Sequence, residues 1–149
     1  MARALQIGDR LATFTREIVF ENMVEFEKVV WDRGANSHSD EEAAKRDGLS
    51  KPLASGQNQM AVLHELLEKN FGDGWVYGGK ISVRYIHPVY AGDKLTPHGT
   101  VKSIEEAEGQ PRITLEVWCE NQDGKKTAVG TAYAGAPTEK MSWIGGPNT

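Results

Sequence analysis

The chain has 149 residues, 39% apolar and 26% charged, which suits one domain with one core. Its formal net charge of −4 argues against a nucleic-acid or anionic-membrane partner, no apolar run is long enough to span a bilayer, and the start "MARALQIGDRLATF" lacks the apolar stretch of a secretory signal. Cys119 is the only cysteine, which excludes an internal disulfide and a cysteine-built zinc site, and a cytoplasmic enzyme or binding protein fits these limits.

Residues 10–20, "RLATFTREIVF", read as a strand running into a turn. Residues 21–31 follow with Val24, Phe26, Val29, Val30 and Trp31 at loosely helical spacing, acids early and Lys28 late, the pattern of an amphipathic helix. "DRGANSH" has the Gly, Asn and Ser of a loop. "SDEEAAKRDG" opens on Ser39-x-x-Glu42, a capping-box pattern, and closes on Gly48, so a short and mostly exposed helix is expected. Asp40 belongs to that cap.

A longer helix comes next, with Ser55 as its N-cap, Leu63, Leu66, Leu67 and Phe71 as its apolar side, and "GDG" as its stop. Gln57, Asn58 and Gln59 make its first turn too polar for a pure core-filler. After Gly74 the pattern changes to strands. "KISVRYIHPVY", "LTPHGTVKSIEE", "RITLEVWCEN" and "TAVGTAYAGA" are four candidates, with Asp123-Gly124 as a hairpin turn. Glu105, Glu106 and Glu108 read as a solvated tip. Residues 1–136 are expected to form the domain and 137–149 a surface tail pinned by Trp143. The order of elements gives an α+β layout, with helices on one face of a curled antiparallel sheet.

The stretch from His38-x-Asp40 through "EEAAKRDG" to "KPLASG", and the later "VRYIHPVYAGDKL", carry a resemblance. Over roughly residues 5–135 the sequence resembles the MaoC-like hydratase and dehydratase family, which includes (R)-specific enoyl-CoA hydratases. That family implies a single hotdog domain, a curled antiparallel sheet wrapped around a long central helix. Its activity is hydration of an enoyl thioester, on coenzyme A or an acyl carrier, or dehydration of the 3-hydroxyacyl thioester. The resemblance also implies a homodimer, and coenzyme A as part of the substrate with no separate cofactor or metal. No nucleic-acid or membrane partner is expected.

Such a reaction needs a group to activate water, a proton for the α-carbon, and donors for an enolate oxygen. The resemblance assigns the first two roles to an Asp and a His in D-x-N-P-[LI]-H, here His38 with Asp32 as its acid. It gives the donor to the backbone N–H of Gly56, where first-turn N–H groups are unpaired and glycine permits close approach. The match is not complete. Five positions before His38 stands Arg33, with Asp32 one further back, and Ala35-Asn36-Ser37 replaces the family triplet. Ser55 replaces the family's histidine before Gly56. Either a one-residue bulge returns Asp32 to the site, or Arg33 occupies the acid's place; Arg is always charged and is no proton acceptor.

Substrate-binding candidates are Gly56, Gln57, Asn36 and His64. Gln57, Ala61, His64 and Glu68 share one helical face, which would suit a polar substrate if that face meets the ligand. Asn36 and Asn58 could orient a water or hold the loop. Arg84 faces a phosphate or water. His87 and His98 have no motif partner, and the four histidines lack metal-ligand spacing. Two alternatives stand beside the lyase: a diverged hotdog enzyme, such as a thioesterase or a lyase for a polar substrate, and a non-catalytic partner or binding subunit.

Overall fold

Alternation in the second half of the chain becomes a sheet. The structure is a computed structural model that describes residues 4–137. In chain order the elements are β1 (Arg16–Glu17), α1 (Phe20–Val30), α2 (Glu41–Arg46), α3 (Gly56–Phe71), α4 (Asp73–Val76), β2 (Lys80–Tyr85), β3 (Lys94–Ala107), β4 (Gln110–Glu120) and β5 (Lys126–Ala134). The strands form one antiparallel sheet in the order β1-β3-β4-β5-β2.

Turn chemistry sets the meander's register. Glu108 at φ 54° and Gly109 at φ 76° make the two-residue turn from Ala107 to Gln110, a backbone shape that matches strand twist. At the next hairpin Asn121 Oδ1 accepts from the N–H groups of Asp123 and Lys125, and Gly124 takes φ 72°. The Asp123-Gly124 turn stands as expected.

Residues two apart on a strand share a face. Val101 of β3, Ile113, Leu115, Val117 and Cys119 of β4, and Ala128, Ala132 and Ala134 of β5 therefore line one buried surface. Helix α3 closes it with Leu63, Leu66, Leu67 and Phe71, all fully buried. Burying each large side chain contributes about 1.5–3 kcal/mol. The sheet curls round α3 as a half-barrel, the single-domain α+β hotdog architecture.

A second, smaller cluster fixes the region around the site. Ile18, Met23, Ala54, Val89 and Leu95 pack together. The turn before α3 is also tied to the chain after β2: Ala54 N–H donates to Val89 O at 2.8 Å and Ala91 N–H to Pro52 O at 3.0 Å.

Two sequence expectations are corrected here. Helix α1 exists, but its apolar spacing is not its buried face. Met23 and Glu27, four apart, turn inward, while Val29 is 83% exposed and Val30 and Trp31 are also exposed. Only the first half of α1 reaches the small cluster, so the later valines have nothing to pack on. The cap of α2 is Asp40, whose Oδ1 accepts from Ala43 N–H at 2.7 Å, and not Ser39, whose Oγ accepts from Asn36 N–H. A carboxylate one residue later reaches the free N–H groups better placed and also favours the dipole. The same helix is mostly exposed, as expected, and buries only Ala43 and Ala44. The tail expected over 137–149 lies, from residue 138 and including Trp143, outside the described residues.

Candidate active site

The loop between α1 and α2 is built around two residues, Asn36 and Leu53. Asn36 Oδ1 accepts from the His38 N–H at 2.8 Å, and its Nδ2 donates to Gly34 O at 3.0 Å. Its backbone carbonyl accepts from the N–H groups of Ser39 and Asp40. This is the local turn chemistry for which Asn is selected, and it engages both ends of the side-chain amide inside the loop. Of the two roles open to Asn36, the geometry accounts for holding the loop.

Leu53 ties that loop to the start of α3. Its N–H donates to Ser37 O at 2.9 Å, and its carbonyl lies 2.6 Å from His38 Nδ1. A carbonyl can only accept, so Nδ1 carries the proton. In the neutral ring the lone pair is then on Nε2, the nitrogen left to meet a reactant. His38 is half-buried, with its ring held against the turn that leads into Gly56.

Gly56 begins α3, and its N–H has no acceptor among the described residues. The ring of Tyr85 covers its Cα side: a Cβ there would sit 2.5 Å from Tyr85 Cε2. Close packing against Tyr85 is by itself a structural reason for glycine here. Ser55 occupies the N-cap position without capping; its Oγ accepts from Asn58 Nδ2 at 3.0 Å.

Asp32 and His38 are not joined. Asp32 follows the last turn of α1 at φ 46°, its N–H donating to Glu27 O at 3.0 Å. Asp tolerates this left-handed conformation better than most residues, and here it ends the helix. Its carboxylate is exposed and makes no hydrogen bond or ion pair with the described residues. Arg33 stacks its guanidinium on Trp31 at 4.8 Å and donates to Glu27 Oε2 at 3.3 Å.

Gln57 and His64 lie on an exposed face of α3 together with Ala61 and Glu68. The polar-substrate argument required that face to meet a ligand; in the single chain it meets solvent, and His64 packs edge-on against Trp75 at 5.2 Å. The inward polar residue of that first turn is Gln59, whose Oε1 accepts from Thr127 Oγ1 at 2.8 Å. His98 stacks on Trp118 at 5.1 Å, a structural role. Arg84 is exposed. Burial pushes the Cys119 thiol up to about 12, so it is no nucleophile at neutral pH. Among the described residues no three His, Cys, Asp or Glu side chains gather as metal ligands, and no helix is long and apolar enough to cross a membrane.

Sequence reasoning missed Glu27. It is 4% exposed, and besides Arg33 its Oε2 accepts from Asn36 Nδ2 at 3.4 Å. A glutamate on an amphipathic helix ordinarily reads as solvated. The available signal was its place four residues after Met23, on the stripe that α1 buries.

The profile of the family described as "MaoC like domain" matches residues 17–118. The chain belongs to the MaoC-like domain family. Solved structures agree on the fold of this MaoC-like chain. R-hydratase PhaJ1 from Pseudomonas aeruginosa is similar at 24% identity and TM-score 0.77, over 91% of this chain and 84% of that one. The (R)-hydratase from A. caviae involved in PHA biosynthesis matches at 20% identity and TM-score 0.75, over 91% of this chain and 100% of that one. The HadBC (3R-hydroxyacyl-ACP dehydratase) complex from Mycobacterium tuberculosis matches at 19% identity and TM-score 0.68, over 87% of this chain and 96% of that one. No curated protein matches the chain.

Proposed function

We propose that this MaoC-like protein is a hydro-lyase for an enoyl thioester, adding water across the double bond or running the reverse dehydration. One observation carries the reading: His38 is anchored through Nδ1 to Leu53 O, which frees Nε2 beside the turn that leads to the unpaired N–H of Gly56. Base and oxyanion donor thus belong to one rigid unit. His38 Nε2 holds the attacking water, a carboxylate from the end of α1 (Asp32 in the sequence reading) takes part in proton transfer, and Gly56 N–H receives charge that develops on the thioester oxygen. The water oxygen bonds to the β-carbon, the double-bond electrons move toward the thioester carbonyl, and a proton adds at the α-carbon.

Coenzyme A is then part of the substrate, no further cofactor is needed, and the reaction belongs in the cytoplasm. A homodimer fits the sheet: β2 is the last strand, paired on one side only, with exposed Tyr85 and Ile86 at its end. An open edge of this kind invites a second copy.

The relatives named as hydratases and as a dehydratase support this class of reaction. One observation favours a diverged enzyme instead, because Arg33 stands at the family acid's position and binds Glu27. The deciding experiment follows crotonyl-CoA and a small enoyl-CoA panel for loss of enoyl absorbance, with free thiol measured in parallel. Hydration without thiol release is the expected result. Thiol release alone would make the protein a thioesterase, and neither signal would favour the partner-subunit reading. Light scattering after size exclusion checks the dimer.

A further inference from the structure

Ile81, Val83 and Tyr85 alternate along β2 and share one face of the strand. Ile81 and Val83 pack on the main core, but Tyr85, at the strand's end, is 45% exposed. Its ring reaches the start of α3 instead and meets Gly56 with its phenol end. A Cβ on Gly56 would lie 2.5 Å from Tyr85 Cε2, 2.8 Å from Cζ and 3.1 Å from Cδ2. Cζ is the carbon that carries the hydroxyl.

Backbone ties hold this placement. Ile86 N–H and His87 N–H both donate to Thr127 O, at 2.9 and 3.2 Å, and Thr127 Oγ1 donates to Gln59 in the first turn of α3. Ala54 N–H donates to Val89 O just before that turn. The end of β2 and the start of α3 are thus fastened to each other on both sides of Tyr85 and Gly56. The hydroxyl takes no part in this: it makes no hydrogen bond with the described residues. Partial burial, with Cys119 adding to it, holds the phenol above its ordinary value of 10.0, so it is a neutral donor at neutral pH.

A thioester oxygen has two lone pairs, and the charge that develops on it is best met by donors already in place. Gly56 N–H is one such donor. An oxygen that accepts from it at about 2.9 Å borders the space that the phenol end of Tyr85 walls, because the amide nitrogen and the place of a Cβ are both one bond from Gly56 Cα. His38 is bonded to Leu53 O, three residues before Gly56, so the phenol and the histidine flank one short turn.

We propose that Tyr85, on the reading of the protein as an enoyl-thioester hydratase, is a further catalytic residue whose hydroxyl gives the thioester oxygen its second hydrogen bond, beside Gly56 N–H. As the water oxygen bonds to the β-carbon, the double-bond electrons pass toward the thioester oxygen and both hydrogen bonds shorten. Tyr85 keeps its proton throughout. When the α-carbon takes up its proton the charge leaves the oxygen, and the two bonds relax.

The test compares the full-length wild type with Tyr85→Phe and Tyr85→Ala on crotonyl-CoA and the enoyl-CoA panel, each variant checked by circular dichroism and size exclusion. Tyr85→Phe keeps the ring against Gly56 and removes only the hydroxyl, so its fold should be unchanged. It is expected to lower kcat by about 10²-fold with KM little changed, and to account for most of the loss in Tyr85→Ala. A second readout follows the carbonyl itself. In His38→Ala protein, which should hold crotonyl-CoA unhydrated, Raman difference spectra should show the carbonyl stretch moving to higher wavenumber when Tyr85→Phe is added; a ring that only packs would not move it. Full wild-type turnover in Tyr85→Phe, with or without a loss in Tyr85→Ala, overturns the assignment and leaves the hydratase reading intact, as does an unmoved carbonyl stretch. A wild type inactive on the whole panel removes the hydratase reading, and this assignment with it.

Discussion

Asn70 and Glu27 are both polar, both on helices and both out of water, at 1% and 4% exposure. Their surroundings differ. Asn70 Oδ1 accepts from Ala12 N–H at 3.1 Å, and its Nδ2 donates to Ala12 O at 3.0 Å and Leu66 O at 2.8 Å. It straps the N-terminal segment to the end of α3, and its polar groups are met. Glu27 has two long bonds on one oxygen and none on the other. A satisfied buried network stiffens a fold, and a half-satisfied one costs stability. The α3 side of the molecule is thus arranged for stability, and the α1 side accepts a penalty next to the loop that carries the proposed chemistry.

The largest expected effect is on that chemistry. His38→Ala should lower kcat/KM for an accepted enoyl-CoA by about 10²–10⁴-fold, roughly 3–5 kcal/mol of transition-state stabilisation. The fold should survive, because the ring makes one hydrogen bond and is only half-buried. An unfolded variant would instead make His38 a brace of the loop.

Next comes a direct contrast of the two buried groups. Asn70→Ala strands the N–H and C=O of Ala12 and should destabilise by about 2–4 kcal/mol in urea unfolding. Glu27→Met lays a second methionine along the stripe of Met23 and removes the unpaired oxygen, so its stability should stay within about 1 kcal/mol of wild type or rise. Equal destabilisation of the two variants would abolish the distinction between the two sides.

Gly56→Ala has a smaller expected cost, about 1–2 kcal/mol, because the new methyl meets the Tyr85 ring, which is partly exposed and can shift. Combining it with Tyr85→Ala should recover most of that loss in a double-mutant cycle. Additive costs would mean that something other than the ring demands the glycine.

The fold was legible because the pattern and the turns agree. Ile113, Leu115, Val117 and Cys119 alternate and line the core, and Leu63, Leu66, Leu67 and Phe71 recur at helical spacing on α3. Within the loop, His38 and the turn to Gly56 were legible as a motif. Three things were not. Which face of α1 is buried depends on how far it overlaps the small cluster, a tertiary fact that no local window contains. Asp40 and Ser39 are adjacent cap formers, and only backbone geometry chooses between them. The solvent-facing side of α3 carries Gln57 and His64, because the inward role in that turn went to Gln59 through Thr127, sixty-eight positions away in sequence.

The smallest predicted effect concerns pH, and it belongs to the stable side of the molecule. His98 lies half-buried on Trp118, and its pKa falls below the ordinary value of 6.5. Burial is the main cause, opposed by Glu120 and reinforced by Arg10 and Lys126. With the folded value below the unfolded one, the unfolded chain takes up its proton first as pH falls. Above 6.5 the contribution of neutral His98 is fully present; between 6.5 and the lower folded value it is lost, because there the unfolded state binds more protons. Thermal melts of wild type should therefore drop slightly as pH falls through 6.5, and His98→Gln, which cannot charge, should show a shallower drop. Parallel curves for the two proteins would assign the acid loss to groups other than His98.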